Sequence, residues 1–299
     1  MKYLVTGGSG FIGSHLVDRL LADGHEVTII DRSVKYENID RNHKNLTIYT
    51  ADIAGDIGHL FKGIDVVFHL AALTRPQWSI LHPYETFETN VGGTIKILEH
   101  CRDNKVKRIV FASSSNLYGE QYDYPTSENA VPNPMNPYAL SKLQGEQMCE
   151  MFEKVYGLEW NAIRPFNAYG TRMPITGIYT SAVATYINAL KNDIPFVKFG
   201  DGNQRRDFIY IDDIVDQMIL MAHSETKNTA FNCGSGTNTS INELFDLICK
   251  LMGKKIEPTV NPKQFEPSQT LADISKAKVL LDWSPKITLE EGLRRTING

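Results

Sequence analysis

The chain has 299 residues, of which 42% are hydrophobic and 22% charged, with a formal net charge of -4. That length allows one large domain or two coupled lobes, and the charge balance, with no dense Lys/Arg tract, excludes a nucleic-acid footprint. No apolar run approaches the roughly 18 residues of a membrane helix, so no membrane partner is expected. Cys101, Cys149, Cys233 and Cys249 form no CxxC pair and read as buried thiols of a cytoplasmic protein.

In chain order, the first strand is expected at residues 4–6, beginning so early that no room is left for a signal peptide. A glycine-rich loop follows, then a helix over 11–22 and a strand over 27–31. Further strands are expected at 46–49, 66–70, 108–112 and 160–163, and helices at 83–103 and 137–156. The strands are near-continuous apolar runs separated by helical periods. This predicts a doubly wound, mostly parallel α/β sheet of Rossmann type with both faces covered. Beyond residue 165 Gly and Pro become frequent (Pro165, Gly170, Pro174, Gly177, Pro195, Gly200, Gly202). A strand at 207–211 is expected to return to the sheet, followed by a helix at 212–223 and a short strand at 231–232. Helices at 241–252, 275–281 and 289–297 complete the pattern. The reading is a body of 1–165 plus about 207–233, and a smaller discontinuous lobe of about 166–206 and 234–299. The substrate crevice would lie between them.

Gly7, Gly10 and Gly13 have GxxGxxG spacing between a strand and a helix. A tight turn and a close approach of backbone to pyrophosphate both need residues without Cβ. The helix start at Phe11, Ile12 and Gly13 then offers its positive end to phosphates. Asp31 ends the second strand, placed to accept from the ribose hydroxyls and to repel a 2′-phosphate, which favours NAD. Asp52 and Ile53 follow the third strand, where an adenine could be met. Ala71 and Ala72 give a small-residue floor after the fourth. Each of these also has an ordinary structural reading, as a loop carboxylate or as close packing.

Tyr138 and Lys142 stand four residues apart, one turn along a helix, with Ser113, Ser114 and Ser115 upstream. Oxidising a secondary alcohol needs a base for its proton. A free tyrosine has a pKa near 10, so work at pH 7 requires a drop of about three units. The Lys142 ammonium, the helix start capped by Asn136 and Pro137, and a bound oxidised nicotinamide could supply it. The alternative is a surface tyrosine and a solvated lysine.

The motifs TGGSGFIG, HLAA, FASSSNLYG, YALSK, RPFNAYG, GDGNQRRDFIYIDD and FNCGSG resemble the extended short-chain dehydrogenase/reductase family, in its nucleotide-sugar epimerase and dehydratase branch. The resemblance covers nearly the whole chain. It implies NAD as cofactor, with Ser114 as the catalytic hydroxyl, Tyr138 as base and Lys142 tuning it. It places Asn90 and Pro165 near the cofactor. Ser115, Asn116 and Asn167 would face the sugar diphosphate, and Arg206 would clamp the phosphates. Phe199 would stack on the base. Where the family often has Arg-Pro-Gly-Asp, this chain has Lys263-Gln264-Phe265-Glu266. Lys263 is then the expected second phosphate cation and Glu266 the ribose acceptor. Family dehydratases carry Asp-Glu after the catalytic residue, and Ser115-Asn116 stand there instead. The implied reaction is therefore a UDP-sugar 4-epimerisation with recycled NAD and no metal. An unusual dehydratase or decarboxylase and a non-catalytic dinucleotide sensor are the alternatives. The small Thr270 suggests room for an N-acetyl group. Arg75 reads equally as a uronate contact or a surface residue. The family's helix pairing implies a homodimer through 83–103 and 137–156.

Overall fold

The computed structural model describes residues 1–174, 181–263 and 265–299. Gly177 and Gln264 lie outside the described residues. The chain opens with β1 (Lys2–Thr6), α1 (Phe11–Ala22), β2 (Glu26–Asp31), β3 (Leu46–Thr50) and β4 (Val66–His69). Then come α2 (Pro76–Leu81), α3 (Pro83–Phe87), a π-helical turn over Glu88–Gly92, α4 (Gly93–Asp103) and β5 (Arg108–Ala112). Next are α5 (Pro137–Tyr156), β6 (Glu159–Pro165), β7 (Asn167–Tyr169), α6 (Ala182–Asn192), β8 (Val197–Phe199), β9 (Arg205–Arg206), β10 (Phe208–Tyr210) and α7 (Ile211–His223). The chain ends with β11 (Thr229–Cys233), β12 (Thr239–Ser240), α8 (Ile241–Met252), β13 (Thr259–Asn261), α9 (Ser275–Leu281) and α10 (Leu289–Asn298).

Seven strands form one parallel sheet in the order β11-β6-β5-β4-β1-β2-β3. The order reverses between β1 and β4, which opens a crevice at their carboxyl ends. Side chains alternate between two cores. Tyr3, Val5, Phe68 and Val110 face α1 and α7, while Leu4, Val67, Ile109 and Phe111 face α4 and α5. The first of these cores runs on into Tyr186, Phe245 and Trp283, so the smaller lobe is continuous with the body through one apolar cluster.

Three expectations change. The strand expected at 207–211 is β10, and it pairs with β7 in a separate two-stranded sheet rather than with the main sheet. Pro165 ends β6 without an N–H to continue the ladder, so the chain leaves the sheet there and β10 follows it. The last place in the main sheet is taken by β11, paired with β6. The single helix expected over 83–103 is broken at the π-helical turn, where the adjacent Gly92 and Gly93 weaken the α-helical ladder. Helices α2 and α6 were not foreseen. All four cysteines are free and buried. Among the described residues no helix is long and apolar enough to cross a membrane.

Candidate functional site

Two cavities meet above the carboxyl ends of the sheet. The larger, about 750 Å³, begins where β1 ends. Gly7 turns the chain with φ +68°, in the left-handed region that glycine enters freely. Gly10 and Gly13 pack onto the Gly7 carbonyl. Gly10 is the N-cap of α1 and supplies no capping side chain, so the first backbone N–H groups of the helix stay open toward the cavity. Asp31, Asp52, Ile53, Ala71, Ala72 and Pro165 line the same space. An elongated dinucleotide matches this combination: a side-chain-free phosphate cradle at one end and a carboxylate at the end of β2.

Asp31 is held rather than free. Its Oδ2 accepts from the Ser9 hydroxyl at 2.7 Å, and its Oδ1 from the Ser33 backbone N–H at 3.2 Å. The Ser9 hydroxyl in turn accepts from the Lys35 N–H at 3.0 Å. Ser9, Arg32, Ser33 and Lys35 all line the cavity; the sequence offers Arg32 beside Asp31 as a residue that could soften the preference for NAD, and leaves the other three unassigned. The serine inside the glycine loop was the available signal. Asp52 Oδ1 accepts from the Ala54 N–H at 2.9 Å, which closes its loop.

Asn90 stands behind the wall of this cavity, bonded to Leu73, which lines it. It is buried and does not line the cavity. Its Oδ1 accepts from the Leu73 N–H at 2.7 Å, and its Nδ2 donates to the Leu73 carbonyl at 3.0 Å and to the Ser141 hydroxyl at 2.9 Å. Satisfied on every side, it props the loop after β4 against α5.

Tyr138, Lys142 and Ser114 all line the larger cavity, and Ser114 is bonded to Asn116, which borders the second. Asn136 caps α5, its Oδ1 accepting from the Ala139 N–H at 2.9 Å, and Pro137 occupies the first turn. Buried Ser79, on the unforeseen α2, accepts from the Tyr138 N–H at 3.1 Å. Ser114 begins the turn after β5 and accepts from the Asn116 backbone N–H at 3.2 Å and its Nδ2 at 3.0 Å. The Lys142 Nζ donates to the Ala112 carbonyl at 2.7 Å and lies 5.9 Å from the centre of the Tyr138 ring. Ser113, next to Ser114, lines the cavity with a buried hydroxyl that has no protein partner.

The electrostatics depart from the simple expectation. Burial raises the Tyr138 phenol above the ordinary tyrosine value, and a hydrogen bond from Ser114 works against that rise. The lowering expected from Lys142 and the helix start does not prevail in the protein alone, because burial disfavours the phenolate. Lys142 is itself lowered to about 8, by burial, with Glu146 pulling it back up. The site therefore holds a lysine poised to change charge close to neutral pH. Buried His69 is lowered to about 3, by burial first and then by Lys142. Its ring nitrogens bond Thr6 at 2.7 Å and Thr94 at 3.0 Å.

The second cavity, about 460 Å³, is lined by residues from Pro76 to Asn136, from Phe166 to Phe208 and from Ile241 to Thr270. Pro76, Asn116, Phe166 and Ala168 line both cavities and form the joint. Ser115, Asn167, Phe199, Arg206, Glu266 and Thr270 line the second. Arg206 is buried and paired with Glu266 at 3.0 Å. The Asn167 Nδ2 donates to the Asp207 carbonyl at 3.0 Å and to the Thr270 hydroxyl at 3.3 Å. Asp207 is a residue the sequence reading missed. Its buried carboxylate accepts from Ser235 N at 2.6 Å, Gly236 N at 3.1 Å and Ala272 N at 3.1 Å, clamping the loops that form this wall. Gln77 also faces this cavity.

Two residues sit elsewhere. Lys263 is exposed and lines an adjoining groove with Glu120, Asn133, Phe265 and Glu266, of which Phe265 and Glu266 also line the cavity that contains Arg206. It follows the exposed strand β13, whose edge position carries the side chain outward. Arg75 is exposed and borders the cofactor-sized cavity, not the second one.

The chain matches the model of the NAD dependent epimerase/dehydratase family over residues 3–234. It is 36% identical to UDP-glucose 4-epimerase of Mycolicibacterium smegmatis, over 99% of this chain and 97% of that one. A solved UDP-glucose 4-epimerase of Thermotoga maritima with UDP-glucose superposes with a TM-score of 0.94 at 35% identity, covering 100% of this chain and 98% of that one. A UDP-N-acetylglucosamine 4-epimerase of Methanobrevibacter ruminantium, in complex with UDP-N-acetylmuramic acid, gives 0.95 at 36% identity, covering 99% and 97%. With its parallel sheet, its glycine cradle and its Ser114, Tyr138 and Lys142 lining one cavity, the chain belongs to the NAD dependent epimerase/dehydratase family.

Proposed function

We propose that this protein inverts C4 of UDP-hexoses, UDP-glucose and UDP-galactose first, through a transient 4-keto sugar. The observation that carries the reading is the joint itself. Ser114, Tyr138 and Lys142 line a dinucleotide-sized cavity, and Asn116, bonded to Ser114, joins it to a second cavity holding a buried arginine, Arg206. Bound NAD supplies a hydride acceptor that later returns the hydride. The protein's own groups do the rest. Tyr138 takes the proton of the sugar 4-hydroxyl and later gives it back, with Ser114 orienting that hydroxyl. The Lys142 ammonium stabilises the phenolate, and the positive charge of oxidised NAD would, when bound, further offset the burial that raises Tyr138. Arg206 holds the diphosphate by charge-assisted hydrogen bonds. Asn167, Ser115 and Asn116 offer neutral donors and acceptors around a sugar that must present both faces in turn.

Ser115-Asn116 carry no titratable group where elimination of water needs an acid and a base, which supports epimerisation over dehydration. Residues 1–165 with 207–233 are the cofactor unit in this reading, and the remainder the sugar-nucleotide lobe. Leu140, Met151 and Val155 are exposed along one stripe of α5, near exposed Leu81 and Tyr84. Such a stripe favours a homodimer. Four buried free thiols favour a reducing, cytoplasmic compartment.

The test is proton NMR of UDP-glucose incubated with the purified protein without added NAD. UDP-galactose at unchanged mass is the expected product. Loss of water or of carbon dioxide from any UDP-sugar would replace this reading with dehydration or decarboxylation.

A further inference from the structure

β6 carries Arg164 into the interior one residue before Pro165 and two before Phe166, which line the cavities. Its guanidinium grips Glu146 with both arms, Nε to Oε1 at 2.9 Å and Nη2 to Oε2 at 2.6 Å. Its remaining nitrogen donates to the Tyr118 phenol at 2.7 Å and the Glu128 carbonyl at 3.2 Å. Arg164 is 7% and Glu146 6% exposed, and neither lines a cavity. Glu146 lies one helical turn beyond Lys142 and two beyond Tyr138 on α5. Tyr118 closes the turn that Ser114 opens. The Tyr118 phenol donates to Asn232 Oδ1 at 2.7 Å, and Asn232 Nδ2 reaches the Thr126 and Asp273 carbonyls at 2.9 and 3.0 Å. One guanidinium therefore ties together the catalytic helix, the serine turn and, through Asn232, the floor of the second cavity.

Stability alone is a poor reason for such a pair. Two charges taken from water cost several kcal/mol each, and an apolar replacement of similar volume is often as stable. We propose that Arg164 and Glu146 are positioning residues of this site, holding the Ser114 turn against the catalytic helix and keeping the Lys142 ammonium in place beside Tyr138. The proposal rests on the roles given to Tyr138 and Lys142 above.

Lys142 feels opposing neighbours. Burial disfavours its charge, while Glu146 favours it; the neutral His69 ring, the Ala112 carbonyl, the Phe111 ring and the Tyr138 ring complete its surroundings. Glu146 in turn faces Arg164, Tyr118, Cys149 and Lys276. Removing the Glu146 charge therefore lets Lys142 lose its proton at lower pH. Tyr118 and the Arg164 fork govern place rather than charge, so changing them alters rate without moving that transition.

The experiment compares wild type, Glu146→Gln, Glu146→Asp, Arg164→Lys and Tyr118→Phe as NAD-loaded enzymes. It reads the pH profile of kcat for UDP-glucose and of the reduction of bound NAD by the sugar, a step that dehydratases and decarboxylases of this family share. Lysine-selective NMR of the protein without cofactor, with the Lys142→Arg variant identifying the signal, follows Lys142 directly. In Glu146→Gln the alkaline limb and the Lys142 titration should both move to lower pH by about half a unit or more, while Glu146→Asp keeps them near wild type. Arg164→Lys and Tyr118→Phe should lower kcat roughly tenfold with KM changed less than about twofold. An unmoved limb and an unmoved Lys142 titration in folded Glu146→Gln would overturn the charge half of the proposal. If that variant does not fold, wild-type kcat in Arg164→Lys and Tyr118→Phe would overturn the positioning half. A wild type that reduces its NAD but yields no C4 epimer sinks the epimerase reading alone.

Discussion

A Cβ placed on Gly13 would stand 2.2 Å from the Gly7 carbonyl oxygen and 2.8 Å from the Gly8 Cα. Neither obstacle is the tip of a side chain that can swing away; both are backbone. Helix α1 rides directly on the turn that precedes it, and only a bare backbone permits that distance.

Gly13→Ala is therefore expected to push α1 off the loop. Overpacking of this kind costs about 1–3 kcal/mol. The larger effect should be on the cofactor, because the same movement withdraws the N–H groups at the helix start. The purified variant should carry less than about a tenth of the wild-type NAD. Full retention, measured by extraction, would show that the cradle does not hold the dinucleotide.

Tyr138→Phe removes the proton acceptor and leaves the ring. Loss of a general base lowers rates by roughly 10²–10⁴-fold. The change in kcat should fall in that range, with bound NAD retained and thermal stability nearly unchanged. Activity within a few fold of wild type would assign the base elsewhere.

The buried His69 gives stability a definite pH slope. Its folded pKa is depressed to about 3 from the ordinary 6.5, so the unfolded chain binds the extra proton as pH falls. The associated stability is fully present above about pH 6.5 and is lost progressively as pH drops toward 3. Urea midpoints of wild type should fall between pH 7 and pH 5, while those of His69→Asn should fall less. Parallel slopes would mean that His69 is not the neutral, doubly bonded ring described above.

Buried Arg206 pairs with the partly exposed Glu266 at 3.0 Å in the second cavity. Arg206→Lys keeps a charge but loses the fork that matches two phosphate oxygens. KM for UDP-glucose should rise by roughly 10-fold or more, with kcat little altered. Isothermal titration with UDP alone should show the same loss of affinity, and unchanged UDP binding would place the diphosphate elsewhere.

Thr270 lines that cavity and accepts from Asn167 at 3.3 Å. Thr270→Tyr fills space there. The ratio of activity on UDP-N-acetylglucosamine to that on UDP-glucose should drop several fold, because the acetamido group is the bulkier substituent. An unchanged ratio would remove Thr270 from substrate selection.

Much of this molecule was legible in its residues. Alternating apolar strands and helical periods, with GxxGxxG after β1, determine a parallel doubly wound sheet, since only such a sheet buries both faces of so many strands. Asn136-Pro137 set the start of α5 through capping chemistry that is local to a few residues. The Tyr138 and Lys142 pairing follows from the helical repeat alone. What depended on distant contacts had to come from the fold. Asn90 buttresses the cavity wall because Leu73 and Ser141 consume its amide, partners that no local pattern reveals. β10 left the main sheet because β7, following the turn at Pro165, was its partner. Lys263 and Arg206 have like charge, yet one is exposed and the other is buried against Glu266. Above all, the direction of the Tyr138 shift was set by tertiary burial: a helix start and a lysine one turn away favour the phenolate, but desolvation outweighs them until a further positive charge arrives.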